Sequence, residues 1–324
     1  SLDCRFNYRI WSLAKLGDKM SFDKMVFIVG VSRSGTTLMR RVLNKSTKFA
    51  LLDENNYMGH LWPPLAMRKI FGRFGSLSND QNVIKLVDWF YSPDFDNYSR
   101  LKTVSWQWQW FRDEVPKEQL LERILSSDRS EKDIYLVFME LFCEEREGEV
   151  IGEKTPSHIK YIDTIMQWYP DAKIIHMLRD PRAIYTSEVR RRQEKSPSPP
   201  YRQLRKFPLL LKLFLMFQVT WTWGDALKRY RKYSEKYGSN YRVVQFESMI
   251  GSPESEVRSI CDWVGVEFQE IMLEQQVMSE GFTQGKKGFD TTASRRWEKH
   301  IDSWARSWFE SRFRKALLEV DYDI

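Results

Sequence analysis

The sequence predicts an α/β protein of P-loop type: three layers, with a central, mostly parallel sheet flanked by helices and a long helical insertion. Three observations predict it. Short apolar runs recur near 25–30, 48–52, 149–152, 173–178 and 241–246, each bounded by loop-forming residues. Helical segments separate the runs, which is the pattern of strands joined by crossovers. The first run then passes through a glycine-spaced loop into a helix, an arrangement that holds phosphates. The chain has 324 residues, 42% hydrophobic and 29% charged, enough for one large α/β domain or two small ones. It reads as a single domain over 1–324.

The first strand is Met25-Val-Phe-Ile-Val-Gly30. The loop that follows nearly matches G-x-x-x-x-G-K-S/T: Gly30 and Gly35 have the spacing and Thr37 ends it, but Thr36 stands at the Lys position. In a nucleotide triphosphatase that Lys reaches the β- and γ-phosphates, so its absence argues against γ-phosphoryl transfer. Backbone N–H groups at the start of the helix 36–45 still favour an anion, and Arg33 and two hydroxyls add donors. The second strand ends at Leu52. Asp53 and Glu54 therefore sit at the carboxyl edge beside the loop, where a carboxylate can take a proton from a hydroxyl or cap a helix.

Residues 55–148 read as a mostly helical insertion, expected on the acceptor side of a site. They hold Trp62-Pro-Pro64, Trp106-Gln-Trp-Gln-Trp110 and a patterned stretch from Pro116 to Cys143. Aromatic residues make up 15% of the chain, with 13 Trp, which suits an aromatic core or an aromatic-lined cleft. The third strand runs into Gly152-Glu153-Lys154-Thr155-Pro156-Ser157-His158. The fourth ends at Arg179, where ligands bind in open α/β sheets. Asp180 is placed to N-cap the next helix, Pro181 fits its first turn, and Ser187 lies about two turns along. An Arg fork there suits phosphate oxygens.

Ser196-Pro-Ser-Pro-Pro200 marks a loop, and 201–236 reads as one or two helices. The apolar run from Phe207 to Trp223 contains Lys212 and Gln218 and is short for a spanning helix. It reads as a buried core helix; its basic flank, Arg202, Arg205 and Lys206, makes a membrane-surface helix or a lipid-facing cleft the alternative. A helix starts at Ser252-Pro253 and ends at Gly265. Gly281 to Thr292 reads as a mobile loop, with a helical tail from Ser294.

The net charge of +7 (51 basic, 44 acidic) suits an anionic ligand. No helix-turn-helix, RRM or zinc-finger pattern points to nucleic acid. Cys4, Cys143 and Cys261 are too sparse for a disulfide framework, and four scattered His give no metal constellation. With no signal peptide visible, the expectation is a cytoplasmic protein with reduced thiols.

Arg33-Ser34-Gly35-Thr36-Thr37-Leu38 after an apolar strand resembles the 5′-phosphosulfate loop of sulfotransferases that use 3′-phosphoadenosine-5′-phosphosulfate (PAPS). The resemblance runs over about 25–300 and is to the bacterial and tyrosylprotein branch, in which Arg33 replaces a Lys. It implies that Arg33, Ser34, Gly35, Thr36 and Thr37 hold the 5′-phosphosulfate, and that Arg179 and Ser187 hold the 3′-phosphate. Glu54 is then the base, ahead of Asp53. Lys154 belongs to a motif similar to the Glu-Lys-Thr-Pro of bacterial members, and shares with Arg33 the stabilisation of charge. Glu153 is placed to orient Lys154, and His158 to meet the acceptor. Arg296, beside Trp297, and more faintly Lys286-Lys287-Gly288, are similar to the basic segments that close the nucleotide site. The implied reaction moves a sulfuryl group from PAPS to a small-molecule, lipid-like or peptide hydroxyl and releases PAP, with no metal. The rivals are a kinase-like P-loop phosphotransferase, which lacks its Lys, and a non-catalytic nucleotide-binding module.

Overall fold

The computed structural model describes residues 24–59, 66–95, 108–194, 199–274 and 287–323. Expectations that fall on Cys4, Trp62 to Pro64, Trp106, residues 195–198 and Gly281 to Lys286 lie outside them. Five parallel strands form the sheet: β1 Lys24–Gly30, β2 Phe49–Leu52, β3 Val150–Lys154, β4 Lys173–Leu178 and β5 Tyr241–Gln245. Their order is β2-β3-β1-β4-β5. β1 is central because it is apolar and buried from Met25 to Gly30 and tolerates a covering layer on both faces. The register pairs Ile28 with Lys154, Gly30 with Met177, Leu52 with Glu153 and Leu178 with Gln245. All five carboxyl ends therefore reach one edge, and the residues after each strand meet there.

Alternation along β1 splits the interior in two. Met25, Phe27 and Val29 face one core, while Val26 and Ile28 face the other. The second core is covered by α1 (Thr36–Leu43) and by the helix over Pro253–Val264. The first is covered by the insertion, with helices α2 (Met67–Ile70), α3 (Asp80–Phe90), α4 (Gln109–Glu114), α5 (Lys117–Leu125) and α6 (Glu131–Glu145). Several of its described aromatic residues are core: Trp108 packs on Phe138 at 4.8 Å and edge-on to Phe90 at 5.5 Å. Each such buried ring is worth roughly 1.5–3 kcal/mol.

Beyond β3 come α7 (Ile162–Trp168), α8 (Pro181–Glu194), α9 (Pro199–Leu204), the 30-residue α10 (Pro208–Tyr237), α11 (Phe246–Gly251), α12 (Pro253–Val264) and α13 (Ser303–Glu319). Asp180 caps α8 through its carboxylate and the Arg182 N–H, 2.8 Å apart, and Gly265 closes α12 in a left-handed conformation. The tail helix starts at Ser303, after a short 3₁₀ turn at Arg296–Lys299, rather than at Ser294. The 207–223 run is only half core. Leu211, Leu215, Val219 and Trp223 are buried, but Phe207, Leu210, Phe214, Phe217 and Trp221 stand in solvent. No helix of the described residues is long and apolar enough to cross a membrane. Cys143 and Cys261 are buried and unbridged.

Candidate active site

The loop after β1 is built by close approach. A Cβ on Gly30 would lie 2.6 Å from the Met177 carbonyl oxygen, so only glycine lets the loop leave the sheet there. Ser34 is fully buried; its hydroxyl and its N–H both donate to the Val31 carbonyl, at 2.7 and 3.1 Å. Ser34 thus shapes the loop from within, and its side chain does not face the ligand space. Arg33 adopts φ 72°, a left-handed conformation uncommon outside glycine. This turns its side chain outward, and its Nε donates to Ser187 Oγ at 2.9 Å. Gly35, at φ 95°, starts α1 directly against the ring of Phe246.

On one side of the loop, β2 and β3 deliver three charged groups. Lys154, 2% exposed, lies 2.7 Å from Asp53 Oδ1 and 2.9 Å from Glu54 Oε1. Two carboxylates make the burial of an ammonium tolerable. Asp53 also accepts the Glu54 N–H at 2.8 Å and lies 3.6 Å from Arg40. Burial pushes the Asp53 carboxyl up, but Arg40 and Lys154 outweigh it and hold the group below the usual carboxylate range. Glu54 is the more exposed of the two.

Glu153 points the other way, as strand alternation requires. It is buried with His158, whose Nδ1 is 2.7 Å away, and with Thr155 and Asn55. His158 Nε2 accepts the Met58 N–H at 3.3 Å. Both nitrogens are occupied inside the core, so His158 does not reach the ligand space and Glu153 does not orient Lys154. They brace the start of the insertion instead.

On the other side, Arg179 lies with its guanidinium 4.0 Å above the Phe246 ring. Its terminal nitrogens donate to the carbonyls of Arg33 (3.0 Å) and Ala293 (3.1 Å). Burial pushes this guanidinium down to about 10, against the pull of Glu247. Arg179 therefore ties the phosphate loop to the segment before Arg296. Arg296 itself pairs with Asp290 and donates to Thr292 Oγ1 at 2.9 Å, while Lys287 pairs with Glu274.

A cavity of about 790 Å³ joins these groups. Arg33, Gly35, Thr36, Thr37, Glu54, Lys154, Arg179, Ser187 and Arg296 all line it, while Ser34, Glu153, His158 and Lys287 do not. No described residue of 55–148 lines it; the remaining walls come from α1, Pro156, α8, Lys212 of α10, Phe246 and Ile250 of α11, and residues 288–302. The expected acceptor role of the insertion thus finds no support among the described residues. Sequence reading missed Phe246, which follows β5 and was accessible to the same carboxyl-edge argument as Arg179. It also missed Arg190 and Arg191 on α8, whose spacing carries no signal of its own. Eight lining side chains are Arg or Lys and four are Asp or Glu, an excess of cations that favours an anionic ligand.

A model of the Sulfotransferase family matches residues 25–270. A Caenorhabditis briggsae protein that carries a protein-tyrosine sulfotransferase name is 21% identical over 257 residues, 78% of this chain and 69% of its own length. Among solved structures, the sulfotransferase domain of the Synechococcus PCC 7002 olefin synthase shares 18% identity and a TM-score of 0.57, over 95% of this chain and 98% of that domain. The sulfotransferase domain from the curacin biosynthetic pathway shares 15% and 0.56, over 93% and 98%.

Proposed function

The chain belongs to the sulfotransferase family, whose transfer reaction depends on PAPS, and on that premise we propose that Glu54 deprotonates an acceptor hydroxyl while Lys154 and Arg33 stabilise the charge that moves. PAPS, when bound, supplies the sulfuryl group that the acceptor oxygen takes, leaving PAP. The cavity suits such a donor: it is cationic, and a phosphate-binding loop opens into it. N–H groups at the start of α1, with Thr36 and Thr37, bind the 5′ end. Arg33 belongs to that 5′ end and donates to Ser187 Oγ at 2.9 Å; Arg179 and Ser187 bind the 3′-phosphate, and Arg296 closes the rim.

The observation that carries the reading is the Glu54–Lys154 pair at the mouth of a phosphate loop that lacks its own Lys. Asp53 is the poorer base, since Arg40 and Lys154 hold its carboxyl low. Lys154 holds the Glu54 carboxylate at 2.9 Å and sets its ammonium next to the reacting centre. The chain's own cations do the neutralising, so the reading calls for no metal. The acceptor is a small-molecule, lipid-like or peptide hydroxyl, a range that the names of the similar proteins also span.

Glu54→Gln tests the base. Turnover is expected to fall by about 10²–10⁴-fold, with PAP affinity by calorimetry unchanged and ATP–Mg²⁺ bound weakly or not at all. Equal loss of turnover and PAP affinity removes Glu54 from the base role; preference for ATP–Mg²⁺ restores the phosphotransferase reading.

A further inference from the structure

We propose that the outer face of α10, with the adjoining rim of α13, docks onto an anionic lipid bilayer. Phe207, Leu210, Phe214, Phe217 and Trp221 are spaced alternately by three and four, which keeps them within about 80° on a helix. All five are exposed, Phe207 by 63% and Trp221 by 61%. The opposite side of the helix, through Leu211, Leu215, Val219 and Trp223, already packs on the protein. The stripe therefore points away from the core, over a length of roughly 21 Å.

α13 extends the patch. Its Trp304 and Trp308 are exposed, and Trp308 meets Phe217 ring to ring at 5.4 Å while donating to Thr220 Oγ1 at 3.0 Å. The two helices run in the same direction, since Lys212 pairs with Asp302 and Arg231 with Glu319. Large apolar patches on a protein surface mark interaction sites.

The charges say which partner. From residue 199 to residue 224 there is no Asp or Glu. Arg202, Arg205 and Lys206 are exposed at one end of the stripe. Arg312 and Lys315 are exposed at the other end, following Trp304 and Trp308 at helical spacing. With cations at both ends, a second copy laid on the stripe in either direction sets like charges together. A sheet of anionic headgroups complements both ends at once, with the apolar stripe at the acyl boundary and the indoles at headgroup level.

The test is flotation of the full chain with vesicles of phosphatidylcholine alone and with about 30% phosphatidylserine. The unaltered protein is expected to float with the mixed vesicles, less so as salt rises, and poorly with phosphatidylcholine alone. Phe214→Ser/Phe217→Ser, and separately Arg202→Glu/Arg205→Glu/Lys206→Glu, are each expected to lower partitioning roughly ten-fold or more with the thermal midpoint kept. Brominated lipid in the mixed vesicles is expected to quench tryptophan emission of the unaltered protein, a readout that needs no variant. No flotation, flotation indifferent to both variants, or bound protein without quenching overturns the proposal. So does sedimentation showing a dimer that the Phe variant dissolves, without vesicle binding, because the stripe is then a seam between copies.

Discussion

Lys154 shows how little room the site leaves for interchange between neighbours. One ammonium, nearly sealed from solvent, spans two consecutive carboxylates. Asp53 is also drawn toward Arg40, and this second cation separates two residues that the sequence sets side by side without ranking them physically. A different residue governs acid stability. His176, on β4, is fully buried; its Nδ1 meets the Tyr241 hydroxyl and its Nε2 has no protein partner. Burial pushes it down to about 3. An unfolded His takes its proton near 6.5, so below that pH the unfolded chain binds more protons and stability falls. The loss begins at about 6.5 and is complete near 3. Between pH 7 and pH 5 it amounts to about 2 kcal/mol. His176→Asn is expected to start less stable than wild type at pH 7 and to close that gap by about this amount at pH 5, in denaturant titrations at both values. A constant gap means that His176 is not the linked group. Arg33, Glu54, Lys154 and Arg179 were legible as lining residues because each stands at or just after a strand end. The turning of Glu153 and His158 into the core was not, because it depends on Asn55 and Met58, brought near only by the folded insertion.

At the scale of elements, the phosphate loop is defined as much by α11 as by itself. A Cβ on Gly35 would stand 2.5 Å from the Phe246 ring, at a φ of 95° that other residues resist. Gly35→Ala is expected to cost about 1–3 kcal/mol and to weaken PAP binding about ten-fold or more. Adding Phe246→Leu relieves the clash but not the backbone strain, so the double variant is expected to recover part of the loss. Unfolding and calorimetry across the four proteins measure that coupling; strict additivity means that the ring does not shape the loop. The glycine spacing was plain in the sequence, while its contact with a residue some 210 positions later was not. α10 was also read incompletely. A run apolar on all sides looks buried, and only the packed structure shows that one arc is buried in the core while the opposite arc, touched by Tyr201, Lys160 and Trp308, stays largely exposed.

At the scale of the molecule, five strands and their common direction follow from apolar runs separated by helices. Their order, β2-β3-β1-β4-β5, does not, since nothing local says on which side of β1 each crossover lands. The final residues add long-range ties that no motif announces: Gln245 Nε2 donates to the Val320 carbonyl at 2.7 Å and the Tyr322 hydroxyl to Glu247 at 2.9 Å. The central place of β1 has a consequence during synthesis. Both its partners come late, β3 ending at residue 154 and β4 at 178, the latter 148 residues (178 − 30) after β1 ends. At about 5–20 residues per second the strand waits roughly 6–25 s on the ribosome until β3 is made, and roughly 7–30 s before both edges have partners. Ribosome-stalled chains of graded length are expected to be cut by protease within 24–37 until residue 178 has emerged, and to resist afterwards. Protection before β3 exists would contradict that. The anion-binding turn, the first part of the site to be made, is on this account among the last to acquire its shape, and its apolar strand is the segment most in need of a chaperone meanwhile.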